Sequence, residues 1–283
     1  MKKHLALPAL AVLGGGASFL LRLAQNCTGF EPDTGLPIPG NVPGMALAAL
    51  LLVIMAAAAI LAGRLPKEAD PGPAFPEDFS TVDPKLLVLP VMGVLLMALS
   101  GAAELAGGLG LSGTYVRSAE GLFPSFSRSS LLLLGLLSLA SAAGLGLGVI
   151  ACRPREGRAV SADAALLIPP AAMVVRLVLT YRTDSVNPAL SAYYVELLAL
   201  IFLTLGFYRL SSFAFQAGRT RRFALYAVPA AALSLAVLAD IGTIETAALP
   251  LYLGSALTLL GFLLLRLSRV ADGHVVQHNT NEE

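Results

Sequence analysis

The stretch "MALAALLLVIMAAAAILAGR", Met45 to Arg64, runs from Met45 to Gly63 without a polar side chain and stops at an arginine. That length matches the roughly 20 apolar residues a helix needs to cross the ~30 Å hydrocarbon layer of a bilayer. Its apolar character runs all round, with Ala and Leu dominant and no alternation of period two, so it reads as a helix and not a barrel strand. Seven further segments have the same character. The expected spans are 4 to 24, 43 to 63, 86 to 106, 130 to 151, 165 to 182, 190 to 213, 223 to 240 and 247 to 266.

The whole chain agrees with that stretch. Of 283 residues, 56% are hydrophobic and only 13% are charged, and mean hydropathy is +0.77. A water-soluble domain carries about twice that charged fraction. The expected fold class is therefore all-α, a polytopic integral membrane bundle whose surroundings are the lipid bilayer. The net charge of +1 excludes a broad basic surface, so nucleic acid is not an expected partner.

Lys and Arg gather in alternate connections. One side would hold Lys2 and Lys3, then Arg64, Lys67 and Lys85, then Arg153, Arg155 and Arg158, then Arg219, Arg221 and Arg222, and last Arg266 and Arg269. The other side holds only Arg117, Arg128 and Arg182. The positive-inside rule then puts both termini in the cytoplasm and the protein in the cell membrane. The first 24 residues also have the basic start and apolar middle of a cleaved signal. The charge pattern and even span count favour retaining them as a helix. Asn26 directly before Cys27 argues against a lipoprotein signal. Cys27 and Cys152 fall on opposite sides of the bilayer, too far apart for a disulfide within one chain.

The chain reads as one transmembrane domain, 1 to 269, followed by a polar tail, 270 to 283, expected to be disordered. The outer connections 25 to 43 and 107 to 129 are rich in Gly, Pro and aromatics and are expected to be structured caps. The inner connection 64 to 85 contains five prolines and mixed charge, and is expected to resist regular structure. Gly144 and Gly148, four apart with Ala140 one turn earlier, read as a close helix contact within the bundle.

A weak internal repeat relates halves 1 to 152 and 160 to 269. "FLLRL" (19 to 23) aligns with "MVVRL" (173 to 177), "AGRL" (62 to 65) with "FYRL" (207 to 210), and "ALSGAAELAG" (98 to 107) with "ALSLAVLADIG" (232 to 242). Four helices per half is an even number, so the expected arrangement is a parallel 4+4 repeat about an axis along the membrane normal.

Charges within the spans carry the functional signal, because each costs about 2.5 to 3.5 kcal/mol at a helix centre unless it finds a partner, water or the interface. Arg209 lies near the cytoplasmic end of its span and can snorkel. Arg22, Glu104, Arg176, Glu196 and Asp240 all count to one layer in the outer leaflet. Under the repeat, Arg22 with Glu104 and Arg176 with Asp240 are equivalent pairs. The short connection between spans five and six also lets Arg176 meet Glu196. Thr180 shares a helical face with Arg176, and Tyr193 one with Glu196.

These seven side chains are the candidate ligand-binding residues. A guanidinium offers a planar set of donors to a small carboxylate or phosphate, with the acids holding it in place. The function expected on this reading is a small-solute transporter or permease for an anionic ligand. The alternative is a membrane sensor or accessory subunit, with an unidentified membrane protein partner, whose buried charges are structural salt bridges. Nothing suggests a cofactor or a metal: His274 and His278 lie four apart in a polar tail with no third ligand. Phosphate-binding loops, zinc-protease pairs and nucleophile elbows are absent, so the enzyme reading leans to no.

Overall fold

The computed structural model describes residues 5–31, 36–65, 75–111, 126–153, 163–185, 190–241 and 244–280. Nine α-helices are found among them: α1 (Ala6–Thr28), α2 (Val42–Gly63), α3 (Phe75–Phe79), α4 (Val88–Gly108), α5 (Arg128–Ala151), α6 (Ile168–Asp184), α7 (Leu190–Ser211), α8 (Thr220–Val237) and α9 (Leu249–Thr280). Short 3-10 turns lead into α4, α6 and α9. No strand forms among the described residues, only the isolated bridges Phe30 to Pro37 and Ile241 to Ile244.

Seven helices are long and apolar enough to cross a membrane, one fewer than the sequence suggested. The exception is α8. Its 18 residues begin with Arg221 and Arg222 in the first turn and contain Pro229, which lowers the apolar content of a helix that is already short. The structure explains why this is tolerated. α8 packs against α1, α2, α7 and α9, and 13 of its 18 residues are buried. A helix enclosed by protein need not present a uniformly apolar surface to lipid.

Close approaches set the remaining packing. α4 lies against both α5 and α9. A Cβ built on Gly93 would fall 2.5 Å from the carbonyl oxygen of Gly254, and one on Gly135 would fall 2.9 Å from that of Gly101. Only glycine admits backbones this close, the small-residue packing that lipid-embedded helices rely on. Gly144 plays the expected packing part, since a Cβ there would lie 2.4 Å from the carbonyl oxygen of Ala165 at the entry to α6.

The connection from 64 to 85 corrects an expectation. Residues 66–74 lie outside the described residues, but Phe75 to Phe79 form a helical turn tucked under the bundle. Phe75 and Phe79 are 2% and 0% exposed, their rings 4.7 Å apart, and Phe79 meets Phe213 and Phe262 at 5.1 and 5.6 Å. Burial of this aromatic cluster offsets the poor helix propensity of a Pro-rich segment. Arg266 anchors the turn from α9, donating from Nη1 to Asp78 Oδ1 at 2.5 Å and from Nε to Thr220 Oγ1 at 2.8 Å. At the opposite end, Asn41 caps α2 by accepting from the Gly44 amide at 2.9 Å. Of the expected cap at 107 to 129, residues 112–125 lie outside the described residues.

Candidate functional site

Each candidate arginine is placed by a helix that has no other charge at the same depth, and each finds an acid from a helix distant in sequence. Arg22, late in α1, donates from Nε to Asp240 Oδ1 at 2.7 Å, just past the end of α8. The two C-terminal helix ends therefore meet, so α1 and α8 run in parallel. Both side chains are 1% exposed. Arg22 Nη1 donates to Gln25 Oε1 at 2.9 Å, and Asn26 Nδ2 donates to Asp240 Oδ1 at 2.8 Å and to the Ala239 carbonyl at 3.1 Å. Tyr194 of α7 stacks on the guanidinium, 5.6 Å from ring centre to Cζ.

The second arginine belongs to a different cluster. Arg176 of α6 donates from Nη2 to Glu104 Oε1 of α4. The same nitrogen makes a longer contact of 3.4 Å with Ser138 Oγ of α5, and Ser138 Oγ donates to Glu104 Oε2 at 3.2 Å. This triangle follows from the crossing of α4 and α5: Gly101 and Gly135 touch, and three residues further along each helix stand Glu104 and Ser138. Arg176 and Glu104 are 3% and 1% exposed in their side chains.

Glu196 of α7 accepts a hydrogen bond from the Tyr252 hydroxyl of α9 at 2.8 Å, and both lie within electrostatic range of Arg176. Thr180, one turn beyond Arg176 on the same face, is 1% exposed, and its Oγ1 has no hydrogen-bond partner among the described residues. Tyr193 is half-buried and neighbours Tyr181 and Asp184 at the end of the α6 to α7 connection.

The pairing differs from the one drawn by aligning the two halves. Arg22 holds Asp240, not Glu104, and Arg176 holds Glu104, not Asp240 or Glu196. Each salt bridge runs between the halves. Alignment compares equivalent positions within each half and is silent on which helix stands beside which; here α1 packs on α8 and not on α4. Arg209 remains half-buried, stacked on Tyr208 and Tyr226 at 5.4 and 5.7 Å.

Sequence reading missed Ser138, Tyr194, Tyr252, Gln25 and Asn26. Ser138 and Tyr252 sit as single polar groups in long apolar runs, where a hydroxyl is cheap enough to pass unnoticed. The one available signal was the small residue a turn before Ser138, marking a close helix crossing. Among the described residues no group of three or more His, Cys, Asp or Glu is arranged to hold a metal. No family model, curated protein or solved structure matches the chain.

Proposed function

We propose that this multi-pass membrane protein is a permease for a small anionic solute, with Arg176 as the group that receives it. The observation carrying this reading is the half-used fork of Arg176. Both hydrogen bonds it makes among the described residues leave from Nη2, and Nε and Nη1 make none with those residues. The unpartnered Thr180 hydroxyl lies one turn along the same face. A guanidinium in a residue only 2% exposed, with Nε and Nη1 unmet among the described residues and an unmet hydroxyl on the same face, is matched by one carboxylate or phosphate group.

The crossed pairs Arg22 to Asp240 and Arg176 to Glu104 support a parallel 4+4 relation, since the first helix of each half reaches the third-helix acid of the other. The distribution of Lys and Arg supports cytoplasmic termini in a cell membrane, which places both clusters in the outer leaflet.

A second reading, a sensor or accessory subunit with structural ion pairs, is favoured by burial: Arg22, Glu104, Arg176, Glu196 and Asp240 are each 4% exposed or less. A thermal-shift screen of detergent-purified protein against small carboxylates, phosphates, sugars and cations separates the two. A saturable rise from one anion class that is lost in Arg176→Lys supports the permease. No shift from any class, with Arg176→Lys as stable as the parent, refutes it and supports the structural reading.

A further inference from the structure

A hollow of about 420 Å³ opens on the outside of the bundle where α4 begins and α5 ends. Its walls are Val88, Val91 and Met92 of α4 and Val149 and Ile150 of α5, and Arg153 stands at its rim. Val88, Met92 and Ile150 are 55%, 47% and 45% exposed, so the walls face what surrounds the bundle. α4 starts and α5 stops at the same membrane side, so the hollow runs inward from one interface, with the basic residue at the interface and the hydrocarbon below it.

The rim is positively charged. Arg153 is exposed and makes no side-chain hydrogen bond or ion pair among the described residues. Lys85 is also exposed, between Pro84 and Leu87, which line the hollow. Asp83 is the acid nearest Lys85 in sequence, and its Oδ1 accepts from the Lys85 amide at 3.0 Å, capping the turn that leads into α4. An apolar slot in the hydrocarbon with a guanidinium at headgroup level that no described residue pairs has two chemically different ends, and one molecule of the bilayer matches both.

We infer that this hollow binds an anionic glycerophospholipid, with an acyl chain along Val91, Met92 and Ile150 and the phosphate on Arg153. Basic pockets between transmembrane helices hold such headgroups by the same combination of charge and apolar contact. A soluble phosphate has no use for the slot. A zwitterionic lipid fills the slot without complementing the rim.

The chain contains no tryptophan, so one introduced indole is a unique reporter. Met92→Trp places it in the hollow. Val178→Trp, at a position of α6 that is 59% exposed, reports bulk lipid. Each variant is reconstituted in vesicles containing phosphatidylglycerol or phosphatidylcholine with brominated acyl chains, and quenching is measured against the mole fraction of brominated lipid. Comparing the two lipids at one position cancels differences in depth. The expected result is about a fivefold preference for phosphatidylglycerol at position 92, the equivalent of one basic residue at a membrane surface. That preference should fall to the value at position 178 when Arg153→Gln is added, and inorganic phosphate should not compete. Equal quenching by the two lipids at position 92, or a preference that survives Arg153→Gln, overturns the inference.

Discussion

The crossed salt bridges can be tested by pairwise coupling. Removing one member of a buried ion pair leaves an uncompensated charge and costs about 3 to 5 kcal/mol, whereas replacing both members with neutral groups is often close to neutral. Arg176 and Glu104 are 3% and 1% exposed, so solvent screening does little to soften the single losses. Arg176→Met and Glu104→Gln should each lower stability by about 3 kcal/mol or more, and the double variant should recover most of it. The coupling should reach about 3 kcal/mol, the upper end for residues in contact. The same cycle between Arg176→Met and Asp240→Asn should be additive to within about 0.5 kcal/mol, because Asp240 belongs to the Arg22 cluster. Reversible unfolding in mixed detergent and dodecyl sulfate micelles gives all of these values. Additivity for Arg176 with Glu104, together with coupling of Arg176 to Asp240, would refute the observed pairing and restore the one suggested by aligning the halves.

Other measurements follow from the packing. Gly101→Ala should lower stability by about 1 to 3 kcal/mol, since its Cβ would fall 2.9 Å from the Gly135 carbonyl oxygen and the Leu139 amide. Gly16→Ala, exposed and with nothing within 4 Å of the new carbon, should raise stability by up to about 1 kcal/mol through helix propensity. Phe79→Ala should cost about 3 to 5 kcal/mol if the turn under the bundle is part of its core, and a loss below about 1 kcal/mol would show it is not. Cys152 is buried and Cys27 exposed, so a maleimide at neutral pH should label Cys27 alone in the folded protein and both after denaturation. Burial pushes the Cys152 thiol up to about 12 from its ordinary 9.0. The folded state therefore keeps a proton that the unfolded state gives up, and the stability linked to it is intact below pH 9 and lost between pH 9 and about 12. A Cys152→Ala variant should show a flatter fall over that range.

Helix existence and charge depth were legible in one dimension. An uninterrupted apolar run such as Met45 to Gly63 has a single stable form in lipid, because only a helix satisfies its own backbone there, and counting along it fixes the depth of each charge. Arg22 and Asp240, and Arg176 and Glu104, were assigned by that count to one layer, and each observed pair joins two members of it. Which acid meets which arginine depends on helix neighbours and rotation. Ala- and Leu-rich helices that are apolar all round give no polar face from which to read either. Those choices rest on close backbone contacts, Gly93 on Gly254 and Gly101 on Gly135, which exist only once the helices are side by side. The Gly101 to Gly135 crossing brought Ser138 to Glu104, and packing by α1, α2, α7 and α9 enclosed α8, whose arginines and proline left it short of a lipid-facing span. Local hydropathy decided that these segments are helices and how deep each charge lies, and tertiary packing decided their partners, because in a bilayer side-chain shape has to orient a helix that hydrophobicity leaves free to rotate.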